Sequence, residues 1–428
     1  MIAKAAAIAV DDFAGGWTVD AATSVCAGTG MNTQDVLPSL ARLVDASLVV
    51  AEPRAATMRY RFLEPVRQYA TAHLLQRDQM ALLRDRHRDW CLKLAELSEA
   101  KLWTSEQVPW LHHLDTEHDN LRSALAWSAS ESAKVDPGLR LAASLWRFWD
   151  LRGHLAEGRG WLEKILARSD GEATPARDRT MALQALGYLA MLQGDAATAA
   201  PTLALSAESW RTLGDRAGLA ESLLFRGMLA GWVKGPLRAA SPLLEESLAL
   251  ARGNGPGFVV YLALMRLSEI AGDRGDFGRA SACISESLLL VRAAGDRWGL
   301  AHALLCSGLL ALQQSNSEAA AAALLESLEL RHALRDLRGM ATSMEALGGL
   351  VAAQQPARAA RLFGAAQAVR RTMSAPPFGP MGTLREQGVA AAREALGDAA
   401  FAAALTAGAT MSIEDALDYG VETARACS

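Results

Sequence analysis

The sequence predicts an all-α fold in which helix pairs stack into a right-handed α-α superhelix. Aromatic residues make up only 6% of the chain while alanine and leucine dominate, so residues that favour strands are scarce and helix formers are plentiful. From about residue 77 to the end, apolar residues recur with helical spacing. Within residues 176–373, three series of residues repeat at intervals of about 40, which is typical of a repeat protein.

The repeat itself predicts the helix pairs. Small residues recur at intervals of 40, 41, 40 and 40, at Gly187, Gly227, Ser268, Gly308 and Gly348. Two further series agree, at Glu208-Ser209, Glu246-Ser247, Glu286-Ser287 and Glu326-Ser327, and at Gly214-Asp215, Gly253-Asn254, Gly295-Asp296 and Arg335-Asp336. Two helices of about 15 residues with their turns use this length, and a small residue halfway along the first lets the second approach closely. Stacked pairs then share one continuous core.

The first 76 residues differ from the rest of the chain. They are predicted to form helices at 18–26 and 35–44, strands at 47–51 and 58–62, and a helix from Pro65. Helix, helix and hairpin is the outline of a small partial winged-helix domain. We therefore expect four regions: a partial winged-helix-like domain at 1–76, a helical connector with the first helix pairs at 77–175, the repeats at 176–373, and C-terminal capping helices at 374–428.

Individual helices outside the repeats are predicted from the same periodicity. Those of the connector are expected at 77–100, 118–130, 137–152 and 155–168, and those of the cap at 383–396, 398–407 and 412–424. Ser412, with Asp415 three residues later, predicts the start of the last helix.

Composition and motifs argue against several functions. The net charge of −4 disfavours a polyanion such as nucleic acid as the main ligand. Five scattered cysteines without a CxxC pair indicate a reducing compartment, and no stretch approaches the length of a membrane span, so we expect a cytoplasmic protein. Neither GxxxxGK[ST] nor GxSxG occurs. We therefore expect no enzyme and no cofactor.

Three groups of residues suggest sites and have simpler explanations. The residues His112, His113, Asp115, Glu117, His118 and Asp119 crowd together, but the spacing is not HExxH, and acids near a helix start are ordinary. Arg54, Arg59 and Arg61 on the hairpin either contact DNA phosphates or form a solvated face, and we favour the solvated face. Trp146, Trp149, Trp161 and Trp210 either stack on a ligand or pack in the core, and we favour the core.

Short motifs in the repeats resemble tetratricopeptide repeats. They are Leu186-Gly187-Tyr188, Gly194-Asp195 followed by Ala199, and Ala346-Leu347-Gly348. The period of about 40 residues exceeds that family's usual 34, so the resemblance implies longer helices.

A wider resemblance covers nearly the whole chain. It is carried by Phe13-Ala-Gly-Gly-Trp-Thr-Val-Asp-Ala-Ala22, Leu43-Val-Asp-Ala-Ser-Leu-Val-Val50, Tyr60-Arg-Phe-Leu-Glu-Pro-Val-Arg-Gln-Tyr-Ala70, Glu117-His-Asp-Asn-Leu-Arg-Ser-Ala-Leu-Ala-Trp127, Glu157-Gly-Arg-Gly-Trp-Leu-Glu163 and Arg358-Ala-Ala-Arg-Leu-Phe-Gly-Ala-Ala-Gln-Ala368. These motifs are similar to bacterial STAND-type ATPase regulators of the LuxR type. The resemblance implies a winged helix plus a tetratricopeptide-like sensor arm of a transcriptional regulator, without the ATPase and helix-turn-helix domains. The Met-His-Asp motif with which these regulators sense nucleotide would align with Phe62-Leu63-Glu64, where leucine stands in place of the histidine.

In tetratricopeptide arrays the first helix of each pair lines the concave face. Carried over by register, the expected partner or effector groove consists of Met181, Gln184, Tyr188, Glu221, Leu224, Met228, Trp232, Leu262, Met265, Glu269, His302, Leu305, Thr342 and Glu345. Methionine adapts to varied apolar shapes, and the acids suit a basic or amine-bearing group.

The favoured function is a non-catalytic regulatory sensor or scaffold arm that binds a protein, peptide or small effector in this groove, in transcriptional regulation. A separate ATPase domain is a further candidate partner, whereas direct DNA contact and a membrane are not expected. The alternative is a DNA-binding regulator that acts directly through the winged helix.

Overall fold

The computed structural model describes residues 13–27, 31–54, 57–63, 65–68, 80–169, 176–232, 240–373 and 380–426. The chain divides into two compact units. The first comprises 1–101, 109–147 and 160–182, and the second 102–108, 148–159 and 183–428. The one sheet of the described residues is a two-stranded hairpin, so the predicted all-α class is confirmed. Within the part of the chain so described, no helix combines the length and apolar character needed to cross a membrane.

The elements follow one another as α1 (Val19–Cys26), α2 (Thr33–Asp45), β1 (Val49–Arg54), β2 (Thr57–Phe62), α3 (Met80–Lys101), α4 (Gln107–Ser128), α5 (Val135–Ser144), α6 (Trp146–Arg152), α7 (Leu155–Ser169), α8 (Ala176–Leu192), α9 (Ala196–Leu213), α10 (Arg216–Trp232), α11 (Ala240–Asn254), α12 (Gly257–Asp273), α13 (Phe277–Ala294), α14 (Arg297–Gln313), α15 (Ser317–Leu334), α16 (Leu337–Val351), α17 (Pro356–Met373), α18 (Pro380–Leu396), α19 (Asp398–Ala409) and α20 (Ile413–Arg425).

The predicted helix, helix and hairpin of the N-terminal region are present. Thr18 caps α1 by accepting a hydrogen bond from the Ala21 amide at 3.2 Å. Strand β1 begins at residue 49 and not at 47, because Ser47 has a φ of 56° and belongs to the turn after α2. The strands pair antiparallel from Val49 opposite Phe62 to Arg54 opposite Thr57. Residues 65–68 are helical, and most of the helix predicted from Pro65 lies outside the described residues.

Two of the connector helices were predicted wrongly. Helix α4 begins at Gln107, eleven residues before the predicted start at 118, because Leu111, Leu114 and Leu121 form one buried stripe that the intervening histidines obscure. The helix predicted at 137–152 is divided into α5 and α6. Leu145 closes a tighter turn between them, with its amide bonded to the Ala142 carbonyl three residues back at 3.3 Å.

The repeats of the second unit form five helix pairs, from α8 with α9 to α16 with α17. The aligned small residues occupy equivalent places, each against the second helix of its own pair. A Cβ atom on the glycines would meet Leu203 at 2.7 Å from Gly187, Leu244 at 2.7 Å from Gly227, Leu324 at 2.8 Å from Gly308 and Phe363 at 2.7 Å from Gly348. At the fifth position the Ser268 hydroxyl donates to the Ala280 carbonyl at 2.9 Å. The predicted close crossing in each pair is confirmed.

The serines of the repeated Glu-Ser pairs mark where the second helix of each pair contacts the first. Ser247, Ser287 and Ser327 are fully buried and donate to carbonyls of the preceding helix, those of Ala220, Tyr261 and Ala301, at 2.6, 3.0 and 2.7 Å. The fourth predicted member was misplaced. The buried residue 40 positions before Ser247 is Ala207, and the predicted Ser209 lies two residues beyond it.

The third series ends three of the second helices as expected. Gly214, Gly295 and Arg335 adopt positive φ values of 69°, 73° and 56° and cap α9, α13 and α15. The remaining pair, Gly253-Asn254, does not end its helix in this way, because α11 continues through residue 254.

The last helices close the array. A Cβ atom on Gly364 in α17 would lie 2.0 Å from the Leu405 carbonyl oxygen, and one on Gly408 in α19 would lie 1.9 Å from that of Arg361. Two glycines therefore let the backbones of α17 and α19 touch. Ser412 caps α20 by accepting from the Asp415 amide at 3.0 Å, as the sequence predicts.

Candidate functional site

The first helices of successive pairs line a cavity in the second unit. Its volume is about 100 Å³, which is room for a ligand fragment and not merely for one water molecule. The lining residues are Tyr188, Leu192, Met228, Leu262, Arg266, Glu269, Trp298, His302, Leu305, Leu309, Arg331, Asp336, Arg338, Gly339, Thr342 and Arg370.

Seven of the predicted groove residues line this cavity, namely Tyr188, Met228, Leu262, Glu269, His302, Leu305 and Thr342. Six others, Met181, Gln184, Glu221, Leu224, Met265 and Glu345, are not part of the lining. Leu224 and Met265 are fully buried in the core. The side chain of Trp232 lies outside the described part of the chain.

Two of the predicted polar groove residues serve the interior instead. Gln184 is buried, and its Oε1 accepts hydrogen bonds from Trp210 Nε1 at 2.7 Å and from the Ser222 hydroxyl. Glu345 is fully buried and forms an ion pair with Arg370, whose Nη2 lies 2.7 Å from Glu345 Oε2. Position along the first helix alone did not separate side chains that face the cavity from side chains that face the neighbouring helix.

The arginines of the cavity were missed because two of them lie outside the first helices. Arg331 is on α15 and Arg370 on α17, both second helices. A signal was available, since an arginine recurs near the end of every second helix, at Arg211, Arg252, Arg292, Arg331 and Arg370. The first three are exposed and the last two are buried. A basic residue near the C-terminal end of a helix also interacts favourably with the helix dipole, so the recurring arginine has an ordinary explanation and does not by itself indicate a site.

Each cavity arginine is paired with a carboxylate. Arg266 Nη1 lies 2.8 Å from Glu269 Oε2, and Arg331 Nη1 lies 2.9 Å from Asp336 Oδ2. The other two pairs are Arg338 with Asp150 and Arg370 with Glu345. Asp150 and Glu345 have fully buried side chains and are not part of the lining. Four guanidinium groups therefore line the cavity with only two carboxylates.

This charge pattern corrects one expectation. The groove acids were expected to receive a basic group, but Glu269 and Glu345 are already bound by arginines. Burial lowers the pKa of Arg331, and the charge of Arg338 lowers it further, although Asp336 opposes both. Burial also disfavours the charged form of Arg338, but Asp150, Tyr188 and Asp336 together oppose it, and the pKa of Arg338 is raised. The side chains that line the cavity thus include four guanidinium groups, each bound to a carboxylate.

A second polar group lies on α12 and α14. One ligand atom each of Glu269, His302 and Cys306 lies within 4.8 Å of the other two, a set that suits a transition metal. Arg266, however, donates to both Glu269 and His302, and a guanidinium in that place competes with a metal ion. Burial raises the pKa of the Cys306 thiol well above its usual value, which disfavours the thiolate that a metal needs. These residues form a hydrogen-bonded network around Arg266.

The first unit contains a buried polar cluster that the sequence had presented as two separate features. Arg59 Nη2 lies 3.0 Å from Glu117 Oε2 and also donates to the Gly16 carbonyl at 3.0 Å. The Asn120 side chain donates to the same carbonyl at 3.0 Å and accepts from the Gly15 amide at 3.3 Å. The cluster links the Phe13–Ala22 and Glu117–Trp127 motifs.

Two predictions about this cluster are corrected. Arg59 is buried and is not available to touch DNA, whereas Arg54 and Arg61 are exposed beside Glu52. Glu117 is in the middle of α4 and not near its start, so the reason for an acid there is the ion pair with Arg59 and not the helix dipole. Direct DNA binding by the hairpin stays the alternative to a solvated face, and it now rests on two arginines.

The tryptophans that the sequence singled out lie mostly inside. Trp146, Trp149 and Trp210 are buried, as favoured, and Trp161 is half-buried beside Lys164. The tryptophan that does line the cavity is Trp298, which stacks on His302 with ring centroids 5.2 Å apart.

The chain is similar to regulators of transcription over part of its length. It is 35% identical over 250 residues to proteins named "Putative HTH-type transcriptional regulator" from Mycobacterium tuberculosis and Mycobacterium bovis. The match covers 56% of this chain, and the chain spans only 27% of those relatives. No family model matches the sequence.

Two solved structures resemble the chain in outline. One is a signal transduction ATPase with numerous domains (STAND) from Pyrococcus horikoshii, with a tetratricopeptide repeat sensor. It is 14% identical, the match covers 100% of this chain and 65% of that one, and the TM-score is 0.49. The other is BtubC (BKLC) from P. vanneervenii, which is 15% identical, with 54% and 92% covered and a TM-score of 0.38.

Proposed function

We propose that this chain is a non-catalytic sensor arm of a transcriptional regulator and binds its effector in the cavity of the second unit. The observation that supports the proposal is the cavity itself, in which apolar side chains from successive first helices surround convergent charged groups. The 35% identity to proteins named as transcriptional regulators supports the regulatory part.

The absence of catalysis is part of this proposal. The arginines and carboxylates of the cavity are engaged in ion pairs with one another, which suits recognition of a ligand. A protein partner, a separate ATPase chain and a cytoplasmic location complete the proposal. The cytoplasm suits the five cysteines of the sequence, which are scattered and form no CxxC pair.

The test is to identify what the cavity retains. The purified chain and a Trp298→Ala variant are incubated with a small-molecule extract of the source cells, washed, denatured and analysed by mass spectrometry. We expect at least one compound to be enriched by the wild-type chain and lost with the variant. A Trp161→Ala variant is the matched control. Because Trp161 belongs to the first unit, this variant should retain the compound.

The regulatory part needs a separate measurement. Transcript levels are compared between cells that carry the wild-type gene and cells that carry the Trp298→Ala version, with and without the enriched compound. The expected result is a set of transcripts that responds to the compound only in wild-type cells. Equal responses in both strains would remove the sensor role, and hydrolysis of ATP above background by the chain would contradict the proposed lack of catalysis.

A further inference from the structure

One end of the cavity is built around three arginines, each paired with a carboxylate. Arg331, Arg338 and Arg370 come from α15, α16 and α17, and all three line the cavity. The partners of Arg338 and Arg370 are Asp150 and Glu345, which are not part of the lining. The guanidinium groups thus face the cavity while two of the balancing carboxylates are behind them.

Arg331 is not fully satisfied by the protein. Its side chain is 3% exposed, its Nη1 pairs with Asp336, and its Nε donates to the Ser327 hydroxyl at 3.2 Å. Its Nη2 is buried and makes no hydrogen bond to any of the described residues. A buried donor of a charged group without a partner is costly, so an acceptor that reached Arg331 Nη2 would stabilise this end of the cavity.

The local sequence holds Arg331 in this position. A Cβ atom on Gly339 would lie 1.7 Å from Arg331 Nη1, so only glycine leaves room for the guanidinium. Asp336 both pairs with Arg331 and accepts from the Gly339 amide at 2.9 Å, which fixes the carboxylate at the start of α16. The arginine is therefore positioned before any ligand arrives, which favours recognition.

The rest of the lining is mostly apolar. Leu192, Leu262, Leu305 and Leu309 come from three first helices, and Met228 adds a flexible side chain from a fourth. The site thus has a cationic part and an apolar part.

We infer that the cavity binds a small organic anion, with its carboxylate or phosphate against Arg331, Arg338 and Arg370 and its apolar body against Leu262, Leu305 and Leu309. Arginine suits both oxyanions because its planar fork donates two parallel hydrogen bonds. A cavity of about 100 Å³ has room for a small molecule. The inference deepens the proposed function, since it names the chemical class of the effector.

The test uses four probes that share a six-carbon chain: hexyl phosphate, hexanoate, hexanol and hexylamine. Binding to the whole chain is measured by calorimetry and by the rise in melting temperature. We expect saturable binding of one or both anions, and at least about tenfold weaker binding of the alcohol and the amine, because each charge-assisted hydrogen bond contributes strongly. Inorganic phosphate alone should bind more weakly than hexyl phosphate, because it lacks the apolar body.

Variants locate the site. Arg370→Gln should weaken anion binding about tenfold or more, and it leaves Glu345 beside Arg385, whose Nε lies 3.5 Å from Glu345 Oε1. Arg252→Gln is the matched control, because Arg252 is the exposed counterpart of Arg370 near the end of α11 and should bind as the wild type does. If Arg370→Gln fails to fold, the charge selectivity of the wild-type chain still decides the question.

Stronger binding of hexylamine than of the anions, unchanged binding in Arg370→Gln, or no saturable binding of either anion would overturn the inference. The proposed function fails separately. If a neutral or basic compound is retained from the extract and controls transcription, the sensor role stands without the anion. If the anions bind and no transcript depends on Trp298, anion binding stands without the sensor role.

Discussion

At the scale of single residues, the buried ion pairs define this molecule more than its surface charges do. The pair of Arg59 and Glu117 joins the hairpin to the Glu117–Trp127 motif, and Arg59 Nη2 also donates to the Gly16 carbonyl. Breaking a buried pair by removing one partner leaves an uncompensated charge and typically costs about 3–5 kcal/mol. An exposed pair such as Arg61 with Glu52 contributes little.

The first prediction compares these two pairs. Arg59→Gln should lower the free energy of unfolding of the first unit by about 3 kcal/mol or more, because Glu117 is left buried without its cation. The measurement is urea denaturation of the whole chain followed by tryptophan fluorescence. Arg61→Gln is the control and should leave the transition unchanged. Equal transitions for the two variants would show that the Arg59 pair is not the structural link described here.

The second prediction concerns pH. Burial raises the pKa of Glu99 to about 7, above its unfolded value of about 4.5. An acid with a raised pKa binds its proton more tightly in the folded state, so its contribution to stability is complete below about pH 4.5 and is lost as pH rises through about 7. Glu99→Gln should therefore be more stable than the wild type at pH 8, by on the order of 1–3 kcal/mol, and nearly equal to it at pH 4.5. A difference independent of pH would contradict the shifted pKa.

At the scale of elements, the second unit depends on close crossings between helices. The aligned small residues at Gly187, Gly227, Ser268, Gly308 and Gly348 sit against the second helix of each pair, and Gly364 with Gly408 does the same for the closing helices. The protein interior is close-packed, so an added methyl group at such a point displaces its neighbour.

The third prediction ranks three glycine substitutions. Gly364→Ala should be the most damaging, because its Cβ atom would lie 2.0 Å from a carbonyl of the backbone. Gly308→Ala should cost about 1–3 kcal/mol, since it meets the Leu324 side chain, which can shift. Gly253→Ala is the control: it meets nothing within 4 Å in helix α11 and should stabilise by about 0.4–1 kcal/mol. Thermal unfolding of the three variants measures the order, and any other order would argue against these crossings.

The sequence predicts elements better than side-chain directions. A 40-residue period located the helix pairs because the crossing requires a small residue at one place in each pair, whatever else varies. The same register placed Glu345 and Gln184 in the groove, although both face the interior, because a shift of one residue turns a helical side chain by about 100°. Arg331 and Arg370 were not predicted because they belong to second helices. An arginine near the C-terminal end of a helix is already explained by its interaction with the helix dipole.

At the scale of the whole molecule, the chain consists of a first unit with a buried polar cluster and a second unit with a cavity between repeated helices. In the first unit, residues of separate motifs form hydrogen bonds and an ion pair with one another. In the second unit, charged and apolar residues from separate repeats line one cavity. Our proposal therefore places effector recognition in the second unit. The chain spans 27% of the regulators it matches, so their transcriptional activity is a proposal for it.

Backbone hydrogen exchange of the whole chain, with and without the small molecule that it retains from the cell extract, tests the central claim most directly. We predict that the ligand slows exchange at amides of α12, α14 and α16, which contribute Leu262, Leu305 and Thr342 to the cavity, and leaves α1, α2 and the hairpin of the first unit unchanged. Slower exchange confined to the first unit, or no change anywhere with the ligand at saturation, would contradict the assignment of effector binding to this cavity.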